Sequence, residues 1–164
     1  MSDLEITALV LSEHEALRRD FAALADPERA QDLGAAWAAL AARLEVHAVA
    51  EEELFYPLLA SAAEHGAAEG QRAVKDHNEI RHAAAAVTGL DAGSEAWWTA
   101  VHGAQQVNAD HMAEEERDFI PDFTAAVDDG ERADLGMRWL QFHDAHESAQ
   151  GLTGDDAVAS DVTG

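Results

Sequence analysis

Two eleven-residue segments of the chain share one spacing of histidine and glutamate. Residues 47–57 read HAVAEEELFYP and residues 111–121 read HMAEEERDFIP, so both fit the pattern HxxxEExxFxP. In each segment the histidine is followed four residues later by a glutamate, and on an α-helix that spacing places both side chains on one face. Imidazole nitrogen and carboxylate oxygen are common ligands of divalent transition metals. Each segment therefore predicts two metal ligands on one helix face.

A lone histidine precedes each of these segments. His14 stands in EHEALR and His77 in DHNEIR, 63 residues apart, and the histidines of the two longer segments are 64 residues apart. Both lone histidines fall on the apolar side of their predicted helices. The chain therefore resembles a helical hairpin used twice. The candidate metal ligands are His14, His47, Glu51, His77, His111 and Glu115.

Hydrophobic periodicity and chain-breaking residues divide the chain into four long amphipathic helices and a short fifth one. The predicted helices cover about residues 3–25, 35–63, 71–88, 95–127 and 132–146, with bends near Pro57 and Pro121. Short connections favour an all-α fold, an antiparallel up-down-up-down four-helix bundle with a short extra C-terminal helix packed outside. We expect residues 1–150 to form one domain and the acidic segment 151–164 to be a disordered tail.

In such a bundle the inward faces of the long helices meet, so the six candidate ligands converge on one layer of the core. Burying two carboxylates without partners costs several kcal/mol each, whereas a bound cation compensates their charge. Four imidazoles and two bridging carboxylates fill about eight of the roughly twelve coordination positions of two first-row transition metals. A solvent-derived bridge fills about two more. The remaining open positions predict that a small exogenous ligand binds at the metals.

The composition excludes several other functions. The 164 residues include 33 acidic and 10 basic ones, a formal net charge of −23. So acidic a surface repels nucleic-acid phosphates and anionic lipid, and we expect neither nucleic acid nor membrane as a partner. No cysteine is present, which excludes disulfides, thiolate metal sites and iron–sulfur clusters. No apolar run approaches the roughly 20 residues of a membrane span and the N-terminus lacks a signal peptide's basic region, so the expected location is cytoplasmic.

The motifs HxxLR, HxxxEExxFYP, HxxIR and HxxxEExxFIP, in that order over about residues 8–127, resemble the hemerythrin-like, or HHE cation-binding, family. The resemblance implies a four-helix bundle that holds two non-haem iron ions, bridged by carboxylate and by an oxo or hydroxo group. Carried over position by position, it makes the same six residues the iron ligands. The partners it implies for this centre are O2, peroxide or nitric oxide.

The chain departs from the oxygen-carrying hemerythrins at two positions. Those proteins have a second histidine four residues before the one on the third helix, where this chain has Ala73. They also have a carboxylate five residues after the last ligand histidine, where this chain has Glu116 next to Glu115. One imidazole fewer makes the centre more open and richer in oxygen ligands. This departure disfavours simple O2 carriage and favours sensing, iron handling or chemistry on peroxide or nitric oxide.

Three functions stay open at the level of the sequence. The first is a redox-active di-iron centre that binds or turns over O2, H2O2 or NO; whether it is an enzyme is left open. The second is a non-enzymatic iron-binding or sensory module whose acidic surface or tail meets an unspecified protein partner. The third is a helical bundle that binds zinc or no metal.

Residues beside the motifs have more than one interpretation. Glu52 and Glu116 form a solvated acidic face, or they contact the candidate ligands on the side away from the metals. Arg18 and Arg81 pair with these acids across the bundle or form surface salt bridges of little value.

Tyr56 is the only tyrosine, and a phenolate is a reasonable iron ligand. It lies nine residues after His47, half a turn away on an ideal helix, so only a bend before Pro57 would bring it towards the metals. Outside the motifs, His143 and His146 at i, i+3 form a weak second metal candidate.

Overall fold

The computed structural model describes residues 4–28 and 31–146, and within these ranges every regular element is helical. The helices, numbered in chain order, are α1 at Ile6–Leu24, α2 at Leu33–Ala62, α3 at Gly66–Thr88, α4 at Glu95–Glu114, Glu115–Phe119 and Ile120–Ala126 in succession, and α5 at Asp129–Ala145. The prediction of an all-α fold is confirmed for these residues. The predicted tail 151–164 lies outside them.

Side-chain caps determine where α2, α4 and α5 begin. Asp32, Ser94 and Asp128 each accept the backbone N–H of the residue three positions later, at 2.9–3.1 Å. Each bond satisfies one of the donors that the first turn of a helix leaves unpaired. A single polar residue therefore determines where each of these three helices begins.

Two helices begin earlier than the sequence predicts. α3 starts at Gly66, inside the segment 64–70 that was expected to be a break, and α5 starts at Asp129 instead of residue 132. A Cβ on Gly66 would lie 1.9 Å from the carbonyl oxygen of Leu59. The glycine thus lets α3 start directly against the end of α2, where any side chain would collide with the backbone.

Two apolar clusters form the core, one at each end of the long helices. The first contains Phe55, Phe119 and Phe123, and the second contains Trp37 and Trp97. α1 and α3 pass from the first cluster to the second along the chain, whereas α2 and α4 pass from the second to the first. On all four helices the candidate metal ligands lie between the two clusters, so the polar layer is enclosed by apolar packing on both sides.

α2 and α4 each contain one π-helical turn, directly before the prolines near which bends were predicted. The turns span Glu51–Phe55 and Glu115–Phe119. In each, the next residue, Tyr56 or Ile120, donates its N–H to the carbonyl five residues earlier. The proline that follows has no N–H and cannot continue the α-helical ladder. A π turn holds one residue more than an α turn, so the side chains beyond it are rotated relative to an ideal helix.

One helix has the length and composition of a membrane span, although it contains no long unbroken apolar run. α2, over Leu33–Ala62, contains an 18-residue window of mean hydropathy 1.2, and 44% of that window is buried inside the fold. Its many alanines keep the mean high although charged residues interrupt the run. The core helix of a protein without any membrane segment meets the same criterion, so this is weak evidence for a membrane.

α5 packs across α1 and α2 beside the polar layer. Its first turn is held by Arg132, which donates to the carbonyls of Thr124 and Val127 at 3.0 Å each. Trp139 lies seven residues further along α5, and its ring contacts that of His47, with 5.9 Å between ring centroids. The fifth helix therefore contacts one of the candidate ligands directly.

Candidate metal centre

The four long helices bring all six predicted ligands into one buried layer. α1 and α3 contribute one histidine each, and α2 and α4 contribute a histidine and a glutamate each. The exposed fraction is 3% or less for every member of the set His14, His47, Glu51, His77, His111 and Glu115. So many ionisable groups in one layer of a core need strong mutual partners or a bound cation.

A first group of donor atoms comes from His14, His47, Glu51 and Glu115, whose atoms lie within 4.8 Å of one another. His47 Nε2 lies 3.0 Å from Glu51 Oε1. His14 Nε2 lies 3.2 Å from Glu115 Oε2 and 3.7 Å from Glu51 Oε1. Donors held at about 2.1 Å from one ion are about 3 Å apart when they are neighbours around it. The group has the donor types and the spacing of a site for one metal ion.

A second group consists of Glu51, His77 and His111. Glu51 Oε2 lies 3.0 Å from His77 Nε2 and 3.8 Å from His111 Nε2, while its Oε1 faces the first group. Glu115 Oε2 likewise lies 3.4 Å from His111 Nε2 as well as 3.2 Å from His14 Nε2. Both carboxylates therefore contact both pairs of imidazoles, which is the position of a bridging ligand.

The atoms at the centre of the layer lack ordinary hydrogen bonds. Four buried atoms without a hydrogen-bond partner point into it: His14 Nε2, His47 Nε2, Glu51 Oε1 and Glu115 Oε2. His77 Nε2 and His111 Nε2 lie 3.0 Å apart, although two neutral imidazoles with their protons on Nδ1 would present only lone pairs to each other. Buried polar atoms that converge in this way without hydrogen-bond partners fit a bound cation on each side of Glu51.

Each lone histidine has a carboxylate next to its Nδ1 atom, on the side of the ring away from the centre of the layer. His14 Nδ1 lies 2.9 Å from Glu116 Oε1, and Arg18 donates to the same oxygen at 2.9 Å. In the other half, the Nδ1 atom of the lone histidine lies 2.8 Å from Glu52 Oε1, and Arg81 donates to that oxygen at 3.0 Å. Both predicted arginine–glutamate pairs across the bundle are thus present. A carboxylate on Nδ1 fixes the tautomer that leaves the Nε2 lone pair for a metal.

Two further carboxylates, which the sequence analysis missed, serve the other two histidines. His47 Nδ1 lies 3.5 Å from Glu13 Oε2, and His111 Nδ1 lies 3.3 Å from Asp76 Oδ2. Each of these acids immediately precedes the lone histidine of its own half, in EHEALR and DHNEIR. The matched position of an acid in both repeats was the available signal. All four imidazoles therefore have an acidic partner behind them.

The comparison with protein families decides what kind of domain this is. Residues 5–123 match the family described as the hemerythrin HHE cation binding domain. The chain belongs to this family. The resemblance seen in the sequence motifs is thereby confirmed. The match includes all six candidate ligands of the HHE domain and ends before α5. No curated protein and no solved structure matched the chain.

Tyr56 lies inside the candidate centre of this HHE domain, contrary to its position on an ideal helix. Its hydroxyl donates to Glu115 Oε1 at 2.6 Å or to Glu51 Oε2 at 2.9 Å, and it lies 3.2 Å from His77 Nε2. The π turn before Tyr56 adds one residue to the helix without adding a full step of rotation. The tyrosine is therefore brought round from the back of α2 to the second group of donors.

The ionisation of the layer in the metal-free HHE domain follows from these contacts. Burial lowers the pKa of His14, but its contacts with the carboxylates of Glu115 and Glu51 outweigh burial and raise the pKa to about 9. Burial is likewise outweighed at His111, chiefly by the charge of Glu115, and its pKa rises to about 10. For Glu51 burial raises the pKa, yet the charge of His47 and neighbouring hydrogen bonds hold it well below the ordinary value. Without a cation, protons on His14 and His111 offset the charge of the carboxylates beside them, and a metal must displace these protons.

The other histidines do not join this centre. His65, His82 and His102 are exposed. His143 Nε2 lies 2.7 Å from Glu13 Oε1, and His146 Nδ1 donates to a backbone carbonyl of its own helix at 2.8 Å. Within residues 4–28 and 31–146 the last two belong to no group of metal-type donors, so the weak second metal candidate is not formed.

Proposed function

We propose that this chain is a non-haem di-iron protein whose buried centre binds or reacts with O2, H2O2 or NO. The observation that carries the proposal is that the two oxygens of Glu51 face different pairs of imidazoles. Oε1 lies next to one pair and Oε2 next to the other. A carboxylate shared in this way suits two ions better than one. When bound, two iron ions would supply redox equivalents and open coordination positions for a small ligand.

We infer that His14 and His47 would hold one ion and His77 and His111 the other, with Glu51 and Glu115 offering carboxylate oxygens to both. Tyr56 would be a further oxygen donor beside His77. Its pKa in the metal-free protein is raised well above the usual value by burial and by the charges of the two glutamates. Only a cation in their midst would favour its phenolate form.

The arrangement of helices that we propose for this centre is the antiparallel up-down-up-down bundle. It is supported by the order in which α1 to α4 pass between the two apolar clusters, which alternates from one helix to the next. The same clusters exclude water from both sides of the polar layer, so only small ligands suit the site. We retain as predictions the cytoplasmic location and the absence of nucleic-acid and membrane partners, on the strength of the acidic composition.

The test of reactivity uses the full chain loaded anaerobically with ferrous iron. Additions of O2, H2O2 and NO are followed by visible absorption, and at least one of them is expected to change the spectrum in proportion to bound iron. His47→Ala should abolish the change and lower the iron content, because it removes one donor of the first group. His102→Ala, an exposed histidine of α4, is the matched control and should behave as the parent. A spectrum unaffected by all three additions would contradict the proposal.

A second candidate, a non-enzymatic sensory module, is favoured by the contacts of α5. Trp139 of α5 touches His47, and His143 of α5 shares Glu13 with His47. A change at the metals could in this way alter how α5 packs. Turnover separates the two functions: catalytic consumption of peroxide or NO supports the reactive centre, whereas one spectral change per bound iron pair without turnover supports the module.

A further inference from the structure

We propose that the cavity between α1, α2 and α5 is a binding site for an amphipathic organic anion, a small carboxylate with an aliphatic body. The cavity has a volume of about 590 Å³, within the range of roughly 300–1,000 Å³ typical of small-molecule sites. None of the six candidate metal ligands lines it. It is therefore a separate site from the proposed metal centre.

The walls of the cavity are aliphatic because each helix turns one stripe of residues towards it. Leu9 of α1, Val46 of α2 and Leu140 of α5 supply the larger apolar side chains. Ala16 of α1 and Ala42 of α2 add small side chains to the lining. These walls fit a hydrocarbon chain.

Two arginines, Arg19 and Arg43, line the cavity in a protein that is otherwise strongly acidic. Arg43 is paired with Asp20 at 2.7 Å, whereas Arg19 makes no hydrogen bond or ion pair with any residue of 4–28 or 31–146. An unpaired guanidinium beside an apolar cavity favours a ligand that ends in a carboxylate.

The single carboxylate that lines the cavity does not oppose an anion. Glu13 Oε1 lies 2.7 Å from His143 Nε2, and its Oε2 lies 3.5 Å from His47 Nδ1. These two imidazoles face its charge from α5 and α2, so its negative charge is compensated within the protein. Arg19 therefore remains as the charged lining residue that pairs with no residue of the part of the chain that the structure describes.

A ligand in this cavity would lie one side chain away from the proposed metal centre. Glu13 and Trp139 line the cavity and also contact His47. Occupancy of the cavity would therefore be sensed at that histidine. This consequence rests on the proposed function, whereas the binding itself does not.

The experiment is isothermal titration calorimetry of the full-length chain with octanoate, run on both the metal-free and the iron-loaded protein. We expect saturable binding with about one octanoate per chain in both forms. Octan-1-ol, which has the same chain length and no charge, should bind more weakly. Because the metal-free protein is included, a failure of the metal assignment does not affect this test.

Variants with matched controls locate the site. Ala42→Phe and Ala16→Phe fill the cavity from α2 and from α1, and each should weaken octanoate binding more than about tenfold. Ala38→Phe places the same side chain on an exposed position of α2 outside the cavity and should have no effect. Arg19→Gln should weaken octanoate binding about fivefold and leave octan-1-ol binding unchanged, since an exposed charge pair contributes little more. Arg138→Gln, an exposed arginine of α5 outside the cavity, should leave both unchanged.

Several outcomes would overturn the proposal. These are the absence of octanoate binding, binding unaffected by both cavity-filling variants, and octan-1-ol binding as tight as that of octanoate. Binding that is seen only after removal of residues 147–164 would also overturn it, because the occupant would then be the chain's own acidic C-terminal segment.

Discussion

Glu51 is the residue on which both halves of the proposed centre depend. Its two oxygens lie 3.0 Å from His47 Nε2 and 3.0 Å from His77 Nε2, on opposite sides of the carboxylate. The sequence identified this glutamate because it stands four residues after a histidine in a motif that occurs twice. Its sharing between two histidine pairs follows from the packing of four helices, which no local pattern contains.

Tyr56 shows where inference from the sequence fails at the scale of a single residue. Counting 100° per residue from His47 places the tyrosine on the far side of α2, yet its hydroxyl lies 2.6 Å from Glu115 Oε1. The proline after it signalled a distortion but not its kind. A bend alone would change the direction of the helix, whereas a π turn changes the angular position of every later side chain.

Tyr56→Phe tests whether the phenol is a metal ligand. We expect the iron-loaded variant to retain its iron while losing any phenolate-to-iron absorption, because Tyr56 is the only tyrosine in the chain. In the metal-free protein the substitution removes the hydroxyl that donates to one of two buried carboxylates and should lower the free energy of unfolding by about 1–3 kcal/mol. Visible spectra and urea denaturation measure the two effects. A phenolate band that persists in the variant would rule out this role.

The stability of the metal-free protein should fall as pH rises. The pKa values of His14 and His111 are raised to about 9 and about 10 in the fold, above the ordinary 6.5. Raised pKa values stabilise the folded state fully below pH 6.5, and that contribution is lost as pH rises through 9 to 10.

Metal binding removes the same protons. The stability of the loaded protein should therefore vary less over this pH range, and loading below pH 9 should release protons. Denaturation at several pH values checks this; a metal-free protein that gains stability from pH 7 to pH 10 would refute it.

At the scale of the elements, the paired π turns are what place the second half of each motif. Both turns begin at the candidate-ligand glutamate of their motif and end two residues before a proline. The distortion therefore recurs at the same place in both repeats. The number of helices, their approximate bounds and their inward faces followed from periodicity, because periodicity is a property of each helix alone. The start of α3 at Gly66 could not be predicted from periodicity, since it depends on contact with the backbone of α2.

Gly66→Ala tests that contact. The added Cβ would lie 1.9 Å from the carbonyl oxygen of Leu59, a backbone atom that cannot move independently, so we expect a loss of about 2–3 kcal/mol in the free energy of unfolding. Gly103→Ala is the matched control, because nothing lies within 4 Å of its Cβ and α4 continues through it. That change should stabilise the protein by about 1 kcal/mol. Urea denaturation of the two variants decides the point: equal effects would show that the approach of α3 to α2 is looser than described.

At the scale of the whole molecule, the chain combines a duplicated unit with one added helix. The two halves supply equivalent sets of groups: a lone histidine, the acid before it, a histidine–glutamate pair and the acid after that glutamate. Each half's outer carboxylate serves the lone histidine of the other half, Glu116 for His14 and Glu52 for His77. The centre is therefore complete only when both halves are folded together.

The duplication explains how much of the centre was predictable. Matched positions in two repeats separated the six candidate ligands from the other histidines, which the structure places elsewhere. The role of α5 could not be predicted, because it lies outside the repeats and outside the family match. Its contacts with His47 and Glu13 depend on how a fifth helix docks, which the spacing within the repeats does not determine.

The most direct test of the account is the metal content of the untagged full-length chain, purified aerobically and measured by elemental mass spectrometry against a protein concentration from amino-acid analysis. Two overlapping groups of donors that share Glu51 predict two iron ions per chain. One ion per chain, zinc in place of iron, or no metal at all after loading with ferrous iron would contradict the proposed di-iron centre.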